Sequence, residues 1–149
     1  MQHKINSVRA LMKDNSIDLL VLGPGTHLRW LLGFSPPQDE RPSMLLIGKE
    51  KEIFLIPSVN AEDVRRKTDI KITVWKDESG PDQALKEALL YIDESSAKHI
   101  AIDEAMRAHF ALIAIDALPN PTHEFTGSTI GALRMRKDQT EFINLKENA

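Results

Sequence analysis

The chain has no cysteine, so any chemistry it performs falls to histidines, carboxylates, hydroxyls and arginines. That absence excludes disulfides, thiolate nucleophiles and cysteine-held metals. The histidines are His3, His27, His99, His109 and His123. None of them shows a spacing such as His-x-x-x-His that would bring two imidazoles to one ion. His109, Asp116 and the pair Asp103-Glu104 could converge, because residues seven apart share a helix face. The competing reading is a solvated helix face beside a polar strand end. Gly127-Ser128-Thr129-Ile130-Gly131 looks like a nucleophile elbow shifted by one residue, but it precedes a helix and its glycines suit a turn. Gly23-Pro24-Gly25-Thr26-His27 stands where a phosphate loop would stand. It has no lysine, and its proline removes an amide that such a loop uses, so it reads as a tight strand-to-helix turn. No catalytic residue and no metal ligand is therefore assigned in this chain.

Two features suit binding better than catalysis. Leu28-Arg29-Trp30-Leu31-Leu32-Gly33-Phe34 sets two large aromatic groups, Trp30 and Phe34, beside the proline-rich stretch Ser35 to Pro42. An aromatic pair there is either ordinary core or the wall of a binding surface. Arg41 lies where that loop meets the next strand. A planar, always charged guanidinium held at such a junction suits a carboxylate, and a solvated surface arginine is the alternative.

The elements that must position these residues follow from periodicity. Ile5, Val8, Leu11 and Met12 share one face of a first helix that ends near Asn15. Ile17 to Leu22 is a continuous apolar run and reads as a buried strand. Thr26 caps a short helix over His27 to Leu32, with Gly33 as its left-handed stop. The prolines of the next stretch forbid regular structure there. Met44 to Ile47 and Ile53 to Ile56 form a hairpin. Ser58 caps a helix to about Lys67, and Ile70, Ile72 and Val74 mark a strand. Pro81 opens a helix that buries Leu85, Leu89 and Ile92. His99 to Asp103 is a strand, Glu104 to Ala117 a helix, and Thr122 to Phe125 a last short strand. At the end, Asp138 is a suitable N-cap and Glu141 completes a capping box, so a new helix is predicted to begin there. Its apolar stripe opens with Phe142 and Leu145 and has only about three turns, which is marginal for an isolated helix. It is expected to pack on chain beyond residue 149. Strands separated by helices pair in parallel, so the fold class is α/β: a three-layer domain with a mixed sheet.

Composition adds exclusions. Across 149 residues, 42% hydrophobic and 28% charged, the chain reads as an ordinary globular domain. A net charge of -3 gives no electrostatic case for nucleic acid or for an anionic membrane as partner. No segment has the length and apolarity of a signal peptide core or a membrane helix, so a cytoplasmic protein is expected.

Taken together, His27-Leu28-Arg29-Trp30-Leu31-Leu32-Gly33-Phe34, then Arg41-Pro42-Ser43-Met44-Leu45-Leu46-Ile47, then Leu133-Arg134-Met135-Arg136-Lys137-Asp138 with Glu141, resemble the N-terminal domain of the creatinase, prolidase and aminopeptidase P family. The family's usual wording is close to Asn-x-x-Tyr-Leu-Thr-Gly-Phe in the first place and Leu-Arg-x-Ile-Lys-Ser/Asp-x-x-Glu-Ile in the last. The resemblance implies a ribonuclease-H-like α/β domain over residues 1–137, with 138–149 starting the helix that leads into a "pita-bread" catalytic domain. It implies two divalent metals, manganese, cobalt or zinc, held in that second domain by two aspartates, a histidine and two glutamates, and hydrolysis of the bond before proline. For this chain it implies a non-catalytic role: supporting a homodimer, contacting its own catalytic domain, and roofing the active site over a peptide substrate, often that of the neighbouring subunit. Arg41 matches, by count from Gly33 and Phe34, an arginine that creatinase-like members bring toward the substrate carboxylate. Trp30 stands where the family usually has tyrosine. Ser35-Pro36-Pro37-Gln38-Asp39-Glu40 departs from the creatine-binding version of the loop. The alternatives are the same domain on a creatinase-like or other non-peptidase relative, or a stand-alone protein-binding module.

Overall fold

Four-residue apolar runs recur along the chain, and a sheet covered on both faces is the structure that can bury them. In the computed structural model, which describes residues 1–147, six strands form one sheet in the order β4-β3-β2-β1-β5-β6. The strands are β1 (Leu19–Leu22), β2 (Met44–Ile47), β3 (Glu52–Pro57), β4 (Ile72–Trp75), β5 (His99–Ile102) and β6 (Thr122–Glu124). β2 runs antiparallel to both β1 and β3, while β1–β5, β3–β4 and β5–β6 are parallel. The helices are α1 (Gln2–Asp14), α2 (Thr26–Leu32), α3 (Ala61–Lys67), α4 (Asp82–Tyr91), α5 (Ala108–Asp116) and α6 (Ile130–Glu147). A mixed, three-layer α/β domain results, as the apolar runs require.

Alternation along the strands divides the core in two. Leu19 and Val21 of β1 join Leu85 and Leu89 of α4 and Phe110 of α5 on one face. Leu20 and Leu22 join Ile5, Val8 and Met12 of α1, Leu28 of α2, Val64 of α3 and Ile130 of α6 on the other. Each such side chain, fully withdrawn from water, contributes about 1.5–3 kcal/mol of transfer free energy. Two glycines have a steric reason to be glycine. Gly33 ends α2 at φ 84, in the left-handed region. Gly23 lies so close to the β5–α5 turn that a Cβ there would sit 2.5 Å from Met106 Cβ.

The far end of the sheet is finished differently. α1 closes with the amide of Ile17 bonded to Met12 O and Ser16 left-handed at φ 54; α4 closes with the amide of Glu94 bonded to Leu89 O and Asp93 at φ 61. Both are Schellman closures with a non-glycine residue in the strained position. Between them, Lys49 bridges Asp18 and the buried Glu94, at 3.0 Å to each, and ties the β2–β3 hairpin to the loops before β1 and β5. Burial works against ionised Asp18, but the amides of Lys98 and His99 together with Lys49 hold its carboxyl below the usual range.

Several boundaries differ from the sequence expectation. α5 begins at Ala108, not Glu104, because Asp103 Oδ1 accepts the amide of Ala105 and holds residues 103–107 in a turn. Gly25, not Thr26, is the N-cap of α2, and Ser58 starts a short 3-10 turn ahead of α3 without a side-chain cap. The predicted helix start at Asp138 is corrected most clearly. α6 begins eight residues earlier, and Asp138 and Glu141 lie inside it. Ala132 to Lys137 contains neither glycine nor proline and is rich in strong helix formers, so nothing turns the chain out of helix before the apparent capping box. Glu141 instead pairs with Lys137 one turn earlier, at 3.6 Å. The last two residues of the expected 138–149 segment lie outside the described residues.

Candidate functional site at the carboxyl rim of the sheet

Parallel strands of an open α/β sheet release their loops at the carboxyl ends, where crevices for ligands form. Here that rim collects Gly23 to His27 after β1, the end of the loop entering β2, Asp77 after β4, Asp103-Glu104 after β5 and Thr126 after β6.

The proline-rich loop crosses the rim. Phe34 at its start packs with the α1–α3 side of the core, its ring 6.4 Å from that of Phe54. Trp30 belongs to the same side, half-buried, with Lys4 Nζ 4.7 Å above its ring. At the loop's end, Trp75 Nε1 donates to Pro42 O and His109 Nε2 meets Glu40 O, which fastens it to the α4–α5 side. Ser35 Oγ accepts the amide of Gly25, and Gln38 donates to Pro24 O. An irregular segment is thus tied down by side-chain bonds that need few of its own amides, which suits a proline-rich composition. A small cleft of about 180 Å³ opens beside it, lined by Pro24, Gln38, Ala105, Arg107 and Phe110.

Arg41 is a surface arginine with a partner of its own. Its Nε and Nη2 bind both oxygens of Asp77, at 3.1 and 3.2 Å, in the bidentate geometry of a carboxylate clamp. Asp77 raises the Arg41 guanidinium further above its ordinary value, and Arg41 holds the Asp77 carboxyl below the usual carboxylate range. The structure therefore brings Trp30 and Phe34 together on one face and sets Arg41 on the other side of the strap, facing an internal carboxylate.

A second constellation was not foreseen. His109 does not meet Asp103-Glu104: it stacks on Phe110 and reaches Glu40 O, while Asp116 lines a separate groove between α4 and α5. The histidine that joins the acid pair is His27. Its Nε2 lies 2.7 Å from Glu104 Oε1 and 3.0 Å from Thr126 Oγ1, and its Nδ1 lies 2.9 Å from Arg134 Nη1. Arginine offers donors only, so Nδ1 must accept and the proton must sit on Nε2, directed at Glu104. His27 is neutral in this arrangement. Burial disfavours ionised Glu104, but the amide of Thr126, the imidazole and the Thr126 hydroxyl together bring its carboxyl below the usual range. Burial pushes the Asp103 carboxyl up, against the amide of Ala105, the nearby His27 and the amide of Gly23.

Ligand atoms of His27, Asp103 and Glu104 lie within 4.8 Å of one another, the one such group among the described residues. Its donor set does not fit a metal. Nε2 would have to surrender its proton, moving it to Nδ1 against a guanidinium, and a cation would then sit beside Arg134. The group works as a hydrogen-bonded tie instead. Its members come from four separate segments, and only the adjacency of β1 and β5 makes them neighbours. The available sequence signal was positional: His27 closes the turn after one strand and Asp103-Glu104 the turn after another.

Comparison with known proteins fits this geometry. Residues 4–136 match the family described as the Creatinase/Prolidase N-terminal domain. A dipeptidase from Pyrococcus horikoshii OT3 superposes with a TM-score of 0.75 at 26% identity, over 89% of this chain and 36% of that one. The chain thus spans little more than a third of that relative's length. The Creatinase/Prolidase N-terminal domain of an X-Pro dipeptidase from Streptococcus pyogenes gives 0.75 at 13% identity, over 84% of this chain and 94% of that one. A proline dipeptidase from Streptococcus pneumoniae gives 0.76 at 18% identity, over 89% and 96%. No curated protein matches the chain by sequence. Among the described residues no helix is long and apolar enough to cross a membrane. With the mixed sheet, the strap across its carboxyl rim and a family match over nearly all its length, the chain belongs to the creatinase/prolidase N-terminal domain family.

Proposed function

We propose that this chain is the non-catalytic N-terminal domain of a metal-dependent Xaa-Pro dipeptidase or aminopeptidase, a cytoplasmic hydrolase in which it supports dimerisation and covers the active site. The observation that carries the reading is α6. From Met135 to Lys146 every residue is exposed, including Met135, Phe142, Ile143 and Leu145 at 53–71%. A helix that presents so much apolar surface is built to be covered, and a catalytic domain of the same protein is the occupant the family match favours. The two divalent metals, manganese, cobalt or zinc, belong to that domain, where they would generate the attacking hydroxide. This domain's share is the strap, with Arg41 as carboxylate clamp and Trp30 and Phe34 as its aromatic footing. Asp77 occupies the clamp, so a peptide carboxylate would bind by exchange for it.

The test is kinetic. In the metal-loaded parent enzyme, Arg41→Ala raises KM for dipeptides with a free carboxylate and leaves carboxyl-amidated analogues unaffected. Asp77→Asn lowers KM for the same free acids. Equal kcat/KM in both variants and the parent would remove the clamp from the reading. Hydrolysis of Ala-Pro or Gly-Pro by residues 1–149 alone, supplied with manganese, would place catalysis here and overturn the assignment.

A further inference from the structure

α6 is a lever with a short root. Ile130 is fully buried, residues 131–134 are half-buried, and everything from Met135 to Lys146 is exposed. Among the described residues, Arg134 makes the outermost side-chain bonds from the helix to the body, to Thr26 Oγ1 at 3.1 Å and His27 Nδ1 at 2.9 Å. Beyond it run about 13 residues, roughly 20 Å at 1.5 Å each. A small rotation at Arg134 therefore becomes a large displacement at the tip.

We infer that His27 is the neutral pin of a latch that fixes the angle of α6, and that protonating His27 opens it. The bond to Arg134 exists only while Nδ1 keeps its lone pair. A proton added there sets two cations face to face at 2.9 Å and evicts the guanidinium. The other side of the ring loses nothing: Nε2–H keeps Glu104, now as a full ion pair with a carboxylate that Thr126 already holds ionised. Acid thus exchanges an inter-element bond for a stronger pair on the far side. The groups facing the ring are Arg134 from α6, which also bonds Thr26 of α2, Asp103 and Glu104 from the turn after β5, and Thr126 from the turn after β6. None of them replaces Arg134 as a donor to Nδ1. His99, the other paired histidine, faces Thr122 and Glu124 and makes no bond to α6.

The experiment uses the chain as it stands. Nitrogen-15 NMR at about pH 7.5, above the ordinary imidazole range, is expected to show His27 protonated on Nε2 alone. Hydrogen exchange, corrected for intrinsic rates, is then followed in α6 and in β1. Between about pH 7.5 and 5 the amides of residues 134–138 lose about tenfold more protection than those of β1. In Arg134→Met that protection is already low and acid changes it no further, while Arg134→Lys retains part of the pH dependence. An Nδ1-protonated His27, or the same acid response in wild type and Arg134→Met, would overturn the latch. If Arg134→Met does not fold, the tautomer and the wild-type exchange profile decide the matter alone.

Discussion

Two histidine–carboxylate pairs among the described residues have nearly equal length and opposite surroundings. His27 lies 2.7 Å from Glu104 and His99 lies 2.6 Å from Glu124. What separates them is the group on the second ring nitrogen. At His27 it is a guanidinium, which can only donate, so the ring stays neutral. At His99 it is the Thr122 hydroxyl, whose proton is directed at Lys98 O, leaving an acceptor for Nδ1–H. Both His99 nitrogens then face acceptors. Burial reinforces the contrast, with side-chain exposures of 7% for His27 and 27% for His99. A close imidazole–carboxylate contact is therefore not a charge assignment; the far side of the ring decides it.

The contrast can be broken most directly by truncation. His27→Ala removes a buried imidazole and takes one partner each from half-buried Arg134 and exposed Glu104, and should lower the unfolding free energy by about 2 kcal/mol in urea titrations at neutral pH. His99→Ala should cost about 1 kcal/mol or less, as half-exposed pairs do. Equal losses would show that the two pairs share one character. Acid sharpens the comparison. Glu104 and Glu124 both lie below the ordinary carboxylate value when folded, Glu124 through the Ser128 hydroxyl and His99. Each therefore contributes stability that is present above the unfolded value and lost as pH falls through the folded one. Below about pH 4 the glutamine variants should show a flatter decline than wild type, with Glu104→Gln also weaker at neutral pH because three donors, His27 Nε2 and the amide and hydroxyl of Thr126, converge on that carboxylate. The smallest effect belongs to Ser128→Ala, which removes one 2.6 Å bond to Glu124 Oε1. It should cost about 0.5–1 kcal/mol and move the onset of acid unfolding up in pH. An unchanged onset would take Ser128 out of the pair.

How far the sequence carried the structure depended on whether a signal was local. The hairpin, the buried run of β1 and the stop at Gly33 are set by neighbours in the chain, and all were legible. The family resemblance, carried by Trp30 to Phe34 and Leu133 to Asp138 with Glu141, held over residues 4–136. Asp138 misled because a capping box looks the same inside a helix as at its start. Glu104 misled because its neighbour Asp103 spends an oxygen on the amide of Ala105 and delays α5 by four residues. The His27 tie was invisible because its members, at positions 27, 104, 126 and 134, meet only once β1 and β5 lie side by side. The place of Arg41 at the junction of loop and strand was legible, but its partner Asp77 was not, since the two are 36 positions apart.

The left-handed residues at the amino end of the sheet bear on how the domain could be engineered. Ser16 and Asp93, like Asn120 ahead of β6 at φ 50, hold a conformation that glycine adopts without penalty. Replacing Ser16 by glycine relieves left-handed strain and offsets it partly by a more flexible unfolded chain, a net gain of about 0.5 kcal/mol, while Asp93 and Asn120, which tolerate this region, gain less. All three lie on the rim opposite the strap and the His27 tie. The domain can therefore be made more robust at one end without disturbing the chemistry at the other, and variants that damage the carboxyl rim can be rescued from a distance and studied as folded proteins.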